Sequence, residues 1–475
     1  MGLDLREWLK EIGTLGELQE VNEPVERDLE MGTIAALSMK NARSAPAMIF
    51  NSINGFPGYR MLVNQLGSAP RLCHTLGIGG GQASLRQVIE LWRERFSRLQ
   101  PLPHKVVAHG PILENVFTGD AVHLSRIASP LWHERDGGRY PGTACMVITR
   151  DPDSGSVNIG TYRVMAHDDT NLAFYISPGK DGRIHRESYF KQGKTCPVAI
   201  CFGQHPLLYM MSATEFGHGL CEYDFAGAIA GEPVEVIEGP ITGLPIPAWA
   251  EIAIEGEVDP TESRIEGPFG EATGYYGSSS RPEPVIRVKS ILHRDNPIMC
   301  GAPPVRPPSE QVFFKNILCS VQIWDELEKA GVPGVKGVWR DTRYWTVVAI
   351  EQKYPGHAKQ AALIASQCRS GAYQGRFVIV VDDDIDPTNI DDVLWALRTR
   401  CDPESSIDII RRCWSTHLDP IIPVSRKGLN SRAIIEATRP YEWIADFPPV
   451  VAPSPALERE VMKKWSHVIF NSNSK

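Results

Sequence analysis

Arg264-Ile265-Glu266-Gly267-Pro268-Phe269-Gly270-Glu271-Ala272-Thr273-Gly274-Tyr275-Tyr276-Gly277 lies between two β-rich runs, Ala250–Glu257 and Val285–Leu292, and argues against a helix between them. Pro268 fixes its own φ and removes a backbone donor, while Gly267 and Gly270 allow turns that a side chain disfavours. The stretch is expected to be a rigid bend that brings Glu266 and Glu271 close to one point. Two carboxyls in one pocket do not ionise equally, so one is expected to keep a proton while the other stays charged. The alternative is a polar surface loop with two solvated glutamates.

Outward from this bend, short β-rich runs recur at Thr143–Thr149, Ser156–Arg163, Leu172–Ile176, Val198–Phe202 and Val234–Ile237, separated by Gly, Pro and Asp. Such punctuation suggests a barrel or a sandwich. A helical patch, Tyr223–Ile229, interrupts it, and the Pro-rich Ala302–Pro308 closes it. Before it, helices are expected over Leu5–Leu18 (ended by Gly13 or Gly16), Met31–Ala42 and Leu85–Leu99, with strands at Ala47–Ile53 and Tyr59–Asn64. That alternation makes a small α/β domain. Gly77–Gln82 is glycine-rich, but Gln82 stands where a dinucleotide loop has its third glycine and no strand leads in, so it reads as a plain loop. Pro101–Pro111 reads as a linker. After Pro308 come a helical Ser309–Ala330, a strand Thr346–Ile350, a helix Gly356–Cys368, a strand Phe377–Val381 and a helix Asp391–Arg400. This order suits a parallel sheet covered by helices. The polar, helical tail from Pro453 is expected to reach a partner subunit. The expected fold is a multidomain α/β (α+β) chain divided at 1–105, 106–308 and 309–475.

The net charge of −8 over 475 residues gives no nucleic-acid-binding surface. No apolar run is long enough to span a bilayer, and the N-terminus lacks a secretory signal. Gly2 does not make a myristoylation site, since Arg6 stands where that motif needs Ser or Thr. Ten cysteines contain no Cys-x-x-Cys pair, so they read as reduced, mostly buried residues of a cytoplasmic enzyme.

Asn158-Ile159-Gly160-Thr161-Tyr162-Arg163 reads as a strand. Arg163 offers a planar fork for a carboxylate. Between Glu266 and Glu271 it would form an acid–base unit: Glu266 pins the guanidinium, Arg163 holds a substrate carboxylate and Glu271 moves protons. The alternative is an ordinary ion pair on the barrel. Asn158, His185 and Glu222 suit an octahedral Mn²⁺ or Mg²⁺ completed by phosphate and water; the alternative for His185, flanked by Arg183 and Arg186, is a surface residue. Asp382-Asp383-Asp384 is a metal site or, by preference, a solvated turn.

Three motifs resemble the UbiD family of reversible decarboxylases: Glu-Gly-Pro-Phe-Gly-Glu-x-x-Gly-Tyr at 266–275, Asn-Ile-Gly-Thr-Tyr-Arg at 158–163 and Glu-Tyr-Asp-Phe-Ala-Gly-Ala at 222–228. Lys-Tyr-Pro-Gly-His-Ala-Lys at 353–359, Val-Val-Asp-Asp-Asp-Ile-Asp-Pro at 380–387, Val-Leu-Trp-Ala-Leu-Arg-Thr-Arg at 393–400 and Thr-Arg-Pro-Tyr-Glu-Trp at 438–443 follow in order. The resemblance implies an N-terminal α/β domain, a central flavin-binding split β-barrel and a C-terminal α/β domain with a C-terminal helix. It implies prenylated FMN, supplied by a flavin prenyltransferase, with its phosphate tied through Mn²⁺ and often K⁺. By position, Asn158, His185 and Glu222 would ligate the metal; residues 158–163 with Ile184, His185 and Glu222 would hold the cofactor; Arg163, Glu266 and Glu271 would be catalytic. The implied reaction is decarboxylation of an aromatic, heteroaromatic or α,β-unsaturated acid with release of CO₂, by a homodimer or higher homo-oligomer. The alternatives are a carboxylase, a subunit of a carboxylase complex, and a non-catalytic flavin-binding subunit. Arg306 and Ser309 are expected either to contact a second polar group of the substrate or, for Arg306, to form a structural ion pair.

Overall fold

The computed structural model describes residues 3–41, 45–277, 280–342 and 344–469. Gly2 and the expected helix end at Ala42 lie outside the described residues.

The β-rich middle of the chain builds one nine-stranded antiparallel sheet. Across it run Arg139–Gly142, Arg163–Ala166, Asn171–Tyr175, Arg281–His293, Ile252–Glu266, Cys196–Gly203, Met146–Arg150 and Val157–Gly160, with Asn115–Thr118 paired to Arg281–His293. The two longest strands shift register between Glu255 and Gly256 and between Val258 and Ser263. Such bulges bend a strand and raise its twist, and the sheet curls into a half-barrel. Its inner face buries Val164, Phe174, Val198, Ile200, Ile254 and Ile286. The expected strand over 156–163 is broken. Val157–Gly160 pairs with Met146–Arg150, whereas Arg163–Ala166 pairs with Asn171–Tyr175. At the break the Thr161 amide leaves the ladder and donates to the Ser212 carbonyl at 2.9 Å. Asn158 thus stands on the strand at one edge of the curled sheet and Arg163 on the strand next to the other edge.

The N-terminal helix Leu5–Thr14 buries Leu5, Trp8, Leu9 and Ile12, one face at helical spacing. It stops short of the expected Leu18, which begins a strand, because Gly16 turns the chain at φ +73°. A four-stranded sheet follows in the order Leu18–Val21, Ala47–Phe50, Arg60–Val63 and Ile298–Gly301, its last strand arriving from beyond the barrel. Helix Ala69–Leu76, not expected from the sequence, is capped by Ser68, with a proline in its first turn and Gly77 in the left-handed conformation at its end. The expected linker carries a two-residue strand, Lys105–Val106, parallel to Glu235–Val236; two residues are too few for any alternation to register.

The C-terminal sheet has the order Val335–Asp341, Trp345–Ile350, Phe377–Asp382, Leu429–Ala437 and Ile407–Trp414. Only its three central strands are parallel; both edges are antiparallel, so the expected parallel sheet is a mixed one. Helix Glu310–Lys329 buries Phe314, Ile317, Val321 and Leu327 where this domain meets the barrel side. No helix among the described residues is long and apolar enough to cross a membrane.

Candidate active site

Glu266 is the last residue of its long strand, and the chain then turns at Gly267, whose φ of +87° favours glycine. The bend is clamped from outside. The Gly137 amide donates to the Pro268 carbonyl at 2.7 Å, and the Gly270 amide donates to Asp136 Oδ1 at 3.0 Å. Past the bend, Glu271 closes a second turn by donating its amide to the Tyr275 carbonyl at 3.0 Å. Both carboxylates therefore face inward on a rigid loop.

They converge on Arg163 at the start of its strand. Nε donates to Glu266 Oε1 at 2.8 Å, Nη2 donates to Glu266 Oε2 at 2.7 Å, and Nη1 donates to Glu271 Oε1. Tyr140 OH adds a bond to Glu266 Oε1 at 3.0 Å. Glu266 is fully buried and the Arg163 side chain is only 7% exposed. Burial alone would lower the arginine's pKa; Glu271 and Glu266 outweigh it and hold the guanidinium above its ordinary value, so it stays charged. The ring of Tyr175 lies 5.0 Å from the guanidinium carbon and that of Phe269 lies 5.4 Å away. Burial, reinforced by Glu266, pushes the Tyr140 phenol up, so it remains a donor. Glu266 is thus saturated by three charge-directed donors, whereas Glu271 sits at the cavity wall on one arm of the same guanidinium.

The cavity beside this triad is lined by the whole of 158–163 and also by Glu222, Lys180, Asp181, Arg369 and Lys315. Asn158 and Glu222 are each only 6% exposed. Glu222 Oε2 accepts the Ile159 amide at 2.8 Å, and burial pushes its carboxyl up to about 8. His185 and Ile184 are not brought into the cavity. Ile184 is 39% exposed, and the His185 ring nitrogens face Thr149 Oγ1 at 3.1 Å and Asp151 Oδ2 at 3.9 Å. Burial lowers the His185 pKa, so it is neutral.

Three family profiles match the chain in order: the 3-octaprenyl-4-hydroxybenzoate carboxy-lyase N-terminal domain over residues 9–92, its Rift-related domain over 104–307 and its C-terminal domain over 313–437. The chain belongs to the UbiD family of carboxy-lyases. It is 32% identical to the phenolic acid decarboxylase of Bacillus subtilis over 446 residues, covering 92% of each chain. It is 31% identical to the pyrrole-2-carboxylic acid decarboxylase of Pseudomonas aeruginosa over 493 residues, covering 98% of each. The vanillic acid decarboxylase of Sedimentibacter hydroxybenzoicus in its closed form superposes with a TM-score of 0.89 at 28% identity, over 99% of this chain and 100% of that one. A UbiD-class enzyme of Pelotomaculum thermopropionicum, solved in complex with FMN, superposes with a TM-score of 0.82 at 27% identity, over 97% of this chain and 98% of that one.

The lining of this UbiD cavity suits a flavin mononucleotide tied down through a cation. Lys180, Lys315 and Arg369 supply positive charge for a phosphate, Phe269, Tyr175 and Leu418 supply apolar wall, and Asn158 with Glu222 offers buried oxygen donors for a hard metal ion. Tyr140, Tyr175, Lys180, Asp181 and Arg369 escaped the sequence reading because nothing in their local pattern separates them from ordinary barrel and helix residues. Ser177 Oγ joins the Tyr373 phenol at 3.1 Å, tying the barrel to the C-terminal domain across the cavity. Arg306 is exposed and Ser309 is buried at the start of helix Glu310–Lys329; neither lines this cavity. The aspartate run is an exposed turn at Asp383 and Asp384, as expected, but Asp382 is only 1% exposed: Arg400 donates to Asp382 Oδ2 and to both oxygens of Asp384, each at 2.7 Å.

Proposed function

We propose that this UbiD-family chain catalyses the non-oxidative, reversible decarboxylation of an aromatic, heteroaromatic or α,β-unsaturated carboxylic acid, with prenylated FMN bound through Mn²⁺ and K⁺. The observation that carries this reading is the buried triad Glu266–Arg163–Glu271 at the wall of a cavity that is also lined by cationic and oxygen-bearing side chains. The phenolic, vanillic and pyrrole-2-carboxylic acids in the relatives' names support the substrate class. When bound, prenylated FMN supplies an electron sink for the carbon that loses CO₂.

This chain's residues do the rest. Arg163, fixed in plane by Glu266, presents its fork to the substrate carboxylate and holds the C–CO₂ bond in one orientation. The rings of Tyr175 and Phe269 and the buried Glu266 keep water from the guanidinium, which strengthens that grip. As the C–C bond breaks, CO₂ departs and the electron pair stays with the organic fragment. Glu271, protonated, delivers its proton to that carbon and is reprotonated from solvent; in reverse, the carboxylate accepts the proton and CO₂ adds. Asn158 and Glu222 would hold the cation, and Lys180 and Arg369 would supply positive charge for the cofactor phosphate. A non-catalytic flavin-binding subunit would have no use for the buried triad. The enzyme works in the cytoplasm as a homodimer or a multiple of it, with domains over 1–105, 106–308 and 309–475.

The test is to purify the protein from cells with and without a co-expressed flavin prenyltransferase, and to offer each preparation a panel of aryl and heteroaryl acids with mass spectrometry of the products. Decarboxylation and an altered flavin absorption spectrum are expected only with the prenyltransferase. Equal turnover by protein free of any flavin would overturn the proposal.

A further inference from the structure

We infer that Asp181, rather than His185, is the third protein ligand of the cation held by Asn158 and Glu222. This rests on the reading that a cation is bound there and concerns which side chain completes its shell.

The orientation of the two buried donors defines where the cation sits. The Asn158 amide nitrogen donates to Tyr162 OH at 3.4 Å and to Thr149 Oγ1 at 3.5 Å, which turns its Oδ1 the other way. Among the described residues that oxygen accepts no hydrogen bond. Glu222 uses Oε2 for the Ile159 amide at 2.8 Å, and its Oε1 accepts none from another described residue. Both side chains are more than nine-tenths buried and both line the cavity. Two oxygens that open on the cavity and take no hydrogen bond from another described residue leave room for a cation between them.

Asp181 reaches this cavity and His185 does not. The two belong to one helix, Asp181–Lys191, and stand four residues apart, so their side chains lie about one 5.4 Å turn from each other. The first turn is pinned to Asn158 through a shared acceptor: Tyr162 OH takes the Gly182 amide at 3.3 Å as well as the Asn158 amide. Gly160 and Gly182 both press on that phenol, and a Cβ at either would collide with its ring. The close packing of Gly160, Tyr162 and Gly182 brings Asp181 to the Asn158 end. One turn further on, both ring nitrogens of His185 already face Thr149 and Asp151. Asp181 Oδ1 accepts from His218 Nδ1 at 2.8 Å, an orienting bond of the kind that fixes a metal ligand. Its Oδ2 is ion-paired with Arg369 at 3.7 Å, outside hydrogen-bond reach, and accepts no hydrogen bond among the described residues.

The consequence is chemical. With Asn158, Asp181 and Glu222 the shell is all oxygen and carries two negative charges. Such a shell suits Mn²⁺ or Mg²⁺ and gives no advantage to Zn²⁺, which imidazole would favour.

The test reads binding, not turnover. Protein loaded with FMN and stripped with chelator is titrated with Mn²⁺, and free Mn²⁺ is counted by electron paramagnetic resonance. Wild type should bind one Mn²⁺ per chain. Asp181→Asn should weaken binding at least ~10-fold, since losing even an outer-shell partner costs about 10–100-fold, while His185→Gln should leave it unchanged. Asp181→His should restore binding with its preference moved from Mn²⁺ towards Zn²⁺; circular dichroism and melting confirm that each variant is folded. Wild-type affinity in Asp181→Asn, or a loss in His185→Gln as large as that in Asp181→Asn, would overturn the ligand assignment. Failure of wild type to bind Mn²⁺ would overturn the cation reading itself.

Discussion

Glu266→Gln changes one oxygen to an amide nitrogen and removes one charge, at a position with no solvent exposure. If the amide oxygen takes the Oε1 place, it keeps Arg163 Nε and Tyr140 OH, and the new NH₂ points at Arg163 Nη2, which now stands 2.7 Å from an acceptor. The flipped amide is worse, because two donors then meet its nitrogen. At least one charge-assisted bond, worth ~1.5–3 kcal/mol, is lost in either case. Breaking a buried pair costs ~3–5 kcal/mol when the remaining charge is uncompensated. In the resting site, before Glu271 takes up its proton, its carboxylate still pairs with Arg163, so the expected loss is about 3 kcal/mol, from the weaker ends of those ranges. Expressed fully in the transition state, that is about 10²-fold in kcat/KM. Steady-state decarboxylation by enzyme with unchanged flavin content reads the rate, and a thermal melt reads the stability. Activity within about twofold of wild type, with an unshifted melt, would refute the argument that Glu266 acts by fixing Arg163.

Arg163→Lys should fail at decarboxylation while still binding flavin, because an ammonium cannot reproduce a planar two-point grip; kcat/KM with flavin absorbance separates the two effects. Burial raises the Glu310 carboxyl from 4.5 to about 7, so the native state holds an extra proton between those values. Stability present below about pH 4.5 should therefore be lost as pH rises through about 7, by about 3 kcal/mol, and Glu310→Gln should flatten that limb in melts taken at about pH 5 and about pH 8. Leu457, Val461, Trp465 and Val468 are 50%, 38%, 46% and 54% exposed at helical spacing along Pro455–Ile469. Truncation after Pro453 should convert the proposed homodimer to monomer in light scattering, whereas an unchanged mass would exclude this helix from the subunit contact.

The bend at Glu266–Glu271 was legible because Gly-Pro-Phe-Gly leaves few conformations open, so local chemistry alone fixes the geometry. The same holds for most barrel strands, whose β-branched runs are bounded by Gly, Pro and Asp. What the sequence hid depends on tertiary partners. The strand over 156–163 gives no sign of its break, since the Thr161 amide leaves the ladder for a carbonyl at Ser212, about fifty residues away. Asp382 looked solvated because Arg400, which buries it, stands on a helix eighteen residues on. His185 and Asp181 share one helix turn pattern, and only the packing of Tyr162 between Gly160 and Gly182 decides which of them meets the cavity.

The central claim is that Glu271 carries the proton that replaces CO₂. Its most direct test is Glu271→Gln, which keeps shape and flavin binding but removes the acid. In D₂O the wild type should place one deuterium on the carbon that lost CO₂, and should exchange that hydrogen in isolated product. The variant should lose turnover by ~10²–10⁴-fold, as general acid–base groups contribute, and lose the exchange with it. Near-normal decarboxylation and exchange by Glu271→Gln would contradict the account and move the proton donor to another acid of the same cavity.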